Sequence, residues 1–229
     1  MAVMVEIKQV TKKFTETTAL DQISLEFEEG KIHGIIGRNG SGKTVLLKCI
    51  CGFMKPTEGE ILVQGKKVVS GKKQNIGIII EVPGFIEQKS GLKNLEYLYE
   101  LNHSKNREYL KEVIKRVGLD PDSKKAVGKY SMGMKQRLAI AQAIMDDPPL
   151  ILLDEPMNGL DNQGVEDIRK VLMDLREQGK TIILASHSKE DIAILCDSVT
   201  ELDHGKITHT TITDEKGTVD FEKLNDYNV

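Results

Sequence analysis

Residues 37 to 44 read GRNGSGKT, and this stretch restricts the possible folds more tightly than any other in the chain. A glycine-rich loop can wrap a polyphosphate only if backbone N–H groups and the positive end of a helix converge on it. That requires a buried strand behind the loop and a helix directly after it. Both flanks are present. KIHGIIG is a mostly apolar run that ends in glycine, and TVLLKCICGF has helical spacing at Val45, Leu46, Cys49 and Ile50, with Gly52 as a stop. Within the loop, Gly37, Arg38, Asn39, Gly40, Ser41 and Gly42 supply the wrapping backbone. Lys43 is placed to bridge β- and γ-phosphates, and the Thr44 hydroxyl to hold Mg²⁺. An ordinary glycine turn would need neither flank.

The rest of the chain fits an α/β protein built around that loop. VEIKQV and ISLEFEEG alternate apolar and polar residues, as half-buried antiparallel strands do. KPTEGEILVQGKKV carries Pro and Gly turn signals around a short strand. From about residue 91 to residue 145 strand signal gives way to helix, in LKNLEYLYELN, REYLKEVIKRVGL and SMGMKQRLAIAQAIM. Strands then return. LILLD and TIILASH are continuous apolar runs suited to parallel strands buried on both faces. Between them Val165, Ile168, Leu172 and Leu175 form one helical face, with Gly179 past its end. SKEDIAILC places Asp191 three residues after Ser188, a capping-box arrangement. DHGKITHTTITDEKGTVD reads as a hairpin followed by weakly ordered polar sequence. The expected architecture is a single domain over 1–229: a P-loop core with a mostly parallel sheet, an N-terminal antiparallel β subdomain, and a helical subdomain inserted at about 86–147.

Composition removes several alternatives. At 229 residues with 39% hydrophobic content, the chain can bury the core of one large domain. A net charge of −3 gives no basic field for nucleic acid, and short charge runs such as GKKQ read as solvated loops. No run approaches the roughly 18 to 20 apolar residues of a membrane span. The start, MAVMVEIKQVTKKF, lacks the apolar core of a signal peptide. Cys49 and Cys51 stand two apart and face different ways on a helix, so with Cys196 they read as reduced, packed thiols.

Two further stretches carry chemistry. LILLDEP, residues 150 to 156, puts Asp154 and Glu155 at the end of a buried strand. There Asp154 can hold Mg²⁺ and Glu155 can polarise an attacking water. Adjacent strand residues point to opposite sides, so a turn at the strand end must bring both to the crevice. His187 follows the next apolar strand, where a contact to the γ-phosphate or the water is within reach. YSMGMKQR, residues 130 to 137, looks like a second anion-binding helix N-terminus, nearly a hundred residues from the first.

In this order the pieces resemble the nucleotide-binding ATPase subunit of ATP-binding cassette (ABC) transporters. The resemblance covers Phe14 as the aromatic that stacks on adenine, the loop Gly37 to Thr44, Glu81 at the Gln-loop position, YSMGMKQ as the signature, Asp154 with Glu155, NGLD ending at Asp161, and His187 as the switch histidine. It implies ATP and Mg²⁺ as cofactors, with Thr44, Asp154 and Glu81 toward the metal, and Lys43, Glu155 and His187 as the catalytic set. It also explains the second anion site. In the family, the signature of one subunit touches the γ-phosphate bound by the other, so Ser131 and Gly133 would complete a partner's site. The implied partners are a second ATPase subunit and a separate membrane permease docking near residues 81–100, on the cytoplasmic face of the cell membrane. Glu81 in place of Gln, with Met132 and Gly133 after Ser131, resembles the subgroup associated with bacitracin export and lantibiotic self-protection. A soluble ABC ATPase of DNA repair or translation fits less well, because such chains carry a coiled-coil insertion or two cassettes. A regulatory module without turnover would not need Glu155 and His187.

Overall fold

The first two strands, β1 (Val3–Lys13) and β2 (Thr18–Glu28), are longer than their alternation alone indicates. Met4, Val5, Ile7 and Val10 of β1 and Leu20, Ile23 and Phe27 of β2 point into the core. The period-two pattern breaks where Gln9 (φ 46°) and Gln22 (φ 53°) take left-handed backbone, and the β1–β2 register shifts between Ile7 and Val10. Such bulges let both strands continue past a break in alternation.

The computed structural model describes residues 2–81 and 84–212, so the polar sequence expected after the hairpin lies outside the described residues. After β3 (Ile32–Ile36) come α1 (Lys43–Ile50), β4 (Glu58–Val63), β5 (Lys66–Lys67) and β6 (Ile76–Ile79). Helices α2 (Gly91–Tyr99), α3 (Arg107–Arg116) and α4 (Met132–Ile144) follow, with a short 3₁₀ turn at Val127–Lys129. The chain then runs through β7 (Leu150–Asp154), α5 (Asn162–Glu177), β8 (Thr181–Ala185), α6 (Lys189–Leu195), β9 (Ser198–Asp203) and β10 (Lys206–Ile212).

Two sheets result. One is antiparallel, in the order β2-β1-β4-β5, and the other runs β10-β9-β3-β8-β7-β6. In the second, β9, β3, β8, β7 and β6 are parallel and β10 closes the edge as the antiparallel arm of a hairpin. The parallel strands are apolar on both faces for a reason visible in the packing. Ile35, Leu150, Leu152 and Ile183 meet α1 and the antiparallel sheet, while Ile36, Ile151, Leu153, Ile182 and Leu184 meet α2 to α6. This buries β7 and β8 completely apart from Asp154, the last residue of β7.

Two expectations need correction. Val165 is only half-buried, and the inward face of α5 is made by Ile168, Val171, Leu172 and Leu175. Ser188 does cap α6, accepting from Asp191 N–H at 3.2 Å, but the second half of the capping box is missing. The Asp191 carboxylate turns away to Arg169, 2.9 Å from its Nε and 2.6 Å from Nη2. The Ser188 N–H donates to Ser186 Oγ at 3.1 Å instead, so the Asp191 carboxylate is free to pair with a buried guanidinium that would be costly left alone.

Candidate functional site

The glycine-rich loop leaves β3 at the carboxyl ends of the parallel strands, where α/β sheets open a crevice. Its path depends on Gly37 and Gly42. Gly37 has φ 153°, and a Cβ there would lie 2.2 Å from the Leu202 carbonyl oxygen and 2.4 Å from Ser41 Oγ. Gly42 has φ 110°, and its Cβ would lie 2.5 Å from the Ala19 carbonyl oxygen. The loop thus lies against the β9–β10 hairpin and the start of β2 without room for side chains. Gly42 is also the N-cap of α1, which has no side-chain cap, whereas Ser90, Asn106, Ser131, Asp161 and Ser188 cap the later helices.

A cavity of about 530 Å³ opens beside this loop. Asn39 to Val45 line one wall, and Ile79, Glu81, Gln136, Asp154, Glu155 and Asn158 line the other. Thr44 Oγ1 donates to Asp154 Oδ2 at 2.5 Å, so two hard oxygen ligands meet at its floor. Lys43 is folded back, its Nζ donating to the carbonyls of Gly37 at 2.6 Å and Arg38 at 3.2 Å. Burial pushes the Lys43 ammonium below its ordinary pKa, against the opposing pull of Glu155 and Asp154. Ser41 Oγ is buried with no hydrogen-bond partner among the described residues. A bound phosphate would satisfy such an orphan group, and the paired oxygens of Thr44 and Asp154 suit a divalent cation.

The turn after β7 solves the problem of two adjacent acids. Glu155 takes φ 49°, and its N–H donates to the Ala185 carbonyl at 2.9 Å. This left-handed residue turns the chain at the strand end, so Asp154 and Glu155 both line the cavity. His187, on the loop after β8, places Nδ1 2.8 Å from Glu155 Oε2. The parallel register that sets Asp154 opposite Ala185 is what brings the two loops together.

Other expected positions lie elsewhere. Phe14 is in the turn between β1 and β2, 45% exposed, with Lys12 Nζ 5.2 Å from its ring centroid; it does not line the cavity. Ser131 caps α4, accepting from Met134 N–H at 3.2 Å, which leaves its own O–H available. A Cβ on Gly133 would lie 2.9 Å from the Gly159 carbonyl oxygen, so glycine lets α4 approach the loop after β7. Asp161 caps α5 through a 2.8 Å bond from Gly164 N–H. Glu81 lines the cavity but pairs with Lys48 Nζ at 2.5 Å.

Ala19, Gln136 and Asn158 line the cavity and escaped the sequence reading. Gln136 sits inside the stretch already singled out as an anion site, and its Nε2 donates to the Pro156 carbonyl at 2.9 Å. Asn158 follows the acid pair by three residues in MNGLD. Polar side chains so close to identified motifs were the available signal. Ala19 gave none.

A phosphate loop facing a strand-end acid pair, with a histidine from the neighbouring strand on the second acid, defines a P-loop nucleoside triphosphatase. Comparison with known proteins narrows this class. The profile of the ABC transporter family matches residues 20–158. The ABC transporter ATP-binding protein YybJ of Bacillus subtilis is 42% identical over 207 residues, spanning 89% of this chain and 94% of that protein. The bacitracin transport ATP-binding protein BcrA of Enterococcus faecalis is 37% identical over 211 residues, 90% of this chain and 68% of BcrA. Among solved structures, the dimeric ATP-binding cassette MJ0796 bound to ADP and Pi superposes with a TM-score of 0.82 at 28% identity, over 91% of this chain and 98% of that one. The chain belongs to the ABC transporter family, as an ATP-binding subunit that hydrolyses ATP.

Proposed function

We propose that this chain is the ATPase subunit of an exporter of antimicrobial peptides, acting as a head-to-tail dimer beneath a separate membrane permease. The observation that carries the catalytic half is the 2.8 Å contact between His187 and Glu155, an acid that lines the loop cavity. The loop N–H groups and the uncapped start of α1 receive the β- and γ-phosphates. Lys43 leaves the carbonyls of Gly37 and Arg38 to pair with them. Thr44 and Asp154 would hold Mg²⁺, which would neutralise phosphate charge when bound. The Glu155 carboxylate accepts a hydrogen bond from the attacking water, and His187 holds that carboxylate through Nδ1 while Nε2 faces the γ-phosphate or the water. Phe14, exposed on its turn, stacks on adenine. The partner's Ser131 donates its O–H to the γ-phosphate beside the free N–H groups of α4, with the partner's Gly133 permitting the close approach and Asp161 lying across the interface.

The permease reading rests on a second groove of about 370 Å³, lined among others by Phe53, Ile78, Glu81, Leu98, Leu101 and Met145. Leu101 is 76% exposed and Phe53 68%, an apolar surface suited to a helix from another chain. Glu81 lines both this groove and the ATP cavity, so movement at one alters the other. We take residues 86–147, which supply α2 to α4, as the helical subdomain of a single domain. Docking at this groove would hold the subunit on the cytoplasmic face of the membrane; among the described residues no helix is long and apolar enough to cross it. The substrate class is supported by BcrA and by the lantibiotic transport ATP-binding protein SrtF of Streptococcus pyogenes, 31% identical over 204 residues. The test is to express the chain with its neighbouring permease in a sensitive cell and measure the inhibitory concentrations of bacitracin and a lantibiotic. Resistance lost on Lys43→Ala supports the reading; unchanged sensitivity with an assembled, ATP-hydrolysing complex rejects the substrate class.

A further inference from the structure

Two lysine pairs in separate runs, QGKK at 64–67 and GKKQ at 71–74, meet on one surface in the structure. Lys66, Lys67, Lys72 and Lys73, together with Gln64 and Asn75, line a concavity of about 330 Å³ that contains no carboxylate. From residue 61 to residue 80 the sequence has no acidic residue at all, although the chain as a whole carries −3. Lys67 is paired with Glu60 at 2.8 Å. Lys66, Lys72 and Lys73 are exposed and have no acidic partner among the described residues. Gln74 Nε2, on the same loop, is a buried donor without an acceptor among the described residues.

Solvated lysines are ordinary, and charge alone would say little. What distinguishes this cluster is its apolar border. Val69 is 45% exposed within the loop itself. The loop is tied by a 3.2 Å bond from Gly71 N–H to the Gly52 carbonyl, next to Phe53, which is 68% exposed. Ile76 lines both this concavity and the groove assigned to the permease. Basic side chains beside exposed Phe and Val match the surface that settles at a bilayer interface, with charge among headgroups and apolar groups just below. An acidic protein segment would account for the lysines but not for the exposed Val69 that lines the same concavity.

We propose that this lysine-lined face docks on the anionic phospholipid headgroups of the membrane that carries the permease. Its siting beside the groove rests on the transporter reading. Binding to lipid requires no permease, so the two can fail separately.

The experiment is flotation of the purified chain with vesicles of phosphatidylcholine alone or mixed with phosphatidylglycerol. The chain should float only with the mixed vesicles, and high salt should release it, because headgroup attraction decays within about a Debye length. Each lysine near such a surface contributes about fivefold to partitioning, so the triple replacement Lys66→Gln, Lys72→Gln, Lys73→Gln should cost on the order of a hundredfold. Val69→Ser should weaken binding further. The triple variant should keep its ATPase activity, which verifies that it folds. Flotation of the triple variant equal to that of the unaltered chain would overturn the proposal, as would failure of the unaltered chain to float. Displacement by inorganic phosphate at constant ionic strength would also overturn it, by marking a free-anion pocket instead.

Discussion

The left-handed backbone of Glu155 is what lets two adjacent acids line one cavity. The acid pair after LILL was legible, because a buried apolar strand ending in two carboxylates is a local pattern. The φ of 49° that lets both acids line one cavity was not, because left-handed backbone at a glutamate leaves no compositional trace. That conformation costs on the order of 1 to 3 kcal/mol, and the Glu155 N–H bond to Ala185 helps to hold it. Glu81 is the counterpart. Its position was read from the resemblance, but its partner Lys48 was not, since the two are distant in sequence and meet only when α1 and the segment 76–80 pack on the same core. With Glu81 largely exposed, the pair contributes no more than about 1 kcal/mol to stability. Replacing Glu81 with Gln keeps a side-chain oxygen toward the cavity while removing a charge. Glu81→Gln should therefore melt within a few degrees of the unaltered chain. Its basal ATP hydrolysis should stay within about tenfold, a barrier change near 1.4 kcal/mol. Stimulation by reconstituted permease should fall more, and ATPase assays with and without permease measure both. Loss of hydrolysis in the isolated subunit would make the carboxylate a direct catalytic group.

At the scale of elements, short apolar strands and the loop-to-helix junction were readable because each is fixed by its own residues. The bulges at Gln9 and Gln22 and the half-buried Val165 were not, because they follow from neighbours distant in sequence. The same holds for Arg169, whose sequence context on α5 looks like a solvated face. It is buried against Asp191 of α6, with Glu166 Oε1 at 2.7 Å and Glu190 Oε1 at 3.2 Å from Nη1. Breaking a buried pair by removing one member leaves an uncompensated charge. Arg169→Met should thus lose about 3 to 5 kcal/mol in urea unfolding, and Arg169→Met with Asp191→Leu should recover much of it. His33 on β3 supplies a pH-dependent contact. Its Nε2 lies 2.9 Å from the Glu28 carbonyl, which can only accept, so Nε2 carries the proton and Nδ1 accepts from Ser198 Oγ at 2.7 Å. Burial is the largest cause holding its pKa below the ordinary 6.5. Below pH 6.5 the unfolded chain gains a proton that the folded chain refuses until lower pH, so stability falls as pH drops through that window. Above it His33 contributes no slope. Melting temperature followed from about pH 7.5 to about pH 5.5 should decline, and His33→Gln should flatten the decline. An unchanged slope in the variant would assign the effect to other groups.

For the whole molecule, the order of motifs along the chain was the most legible feature, and it led to the family before any geometry was known. What one chain cannot display is a completed site. Ser131 stands away from the cavity that holds Lys43, Asp154 and Glu155, an arrangement that fits a site completed by a second subunit. Glu155→Gln should lower hydrolysis by orders of magnitude while leaving phosphate binding intact, because only a contribution to the transition state is removed. ATP should then hold two subunits together. The most direct measurement is light scattering coupled to gel filtration of Glu155→Gln, alone and combined with Ser131→Arg, with Mg·ATP present. A shared site predicts that Glu155→Gln elutes at twice the 25.5 kDa monomer mass. The double variant should stay monomeric while still binding ATP through its own loop. Dimerisation of the double variant to the same extent would contradict a nucleotide site completed by the partner's Ser131.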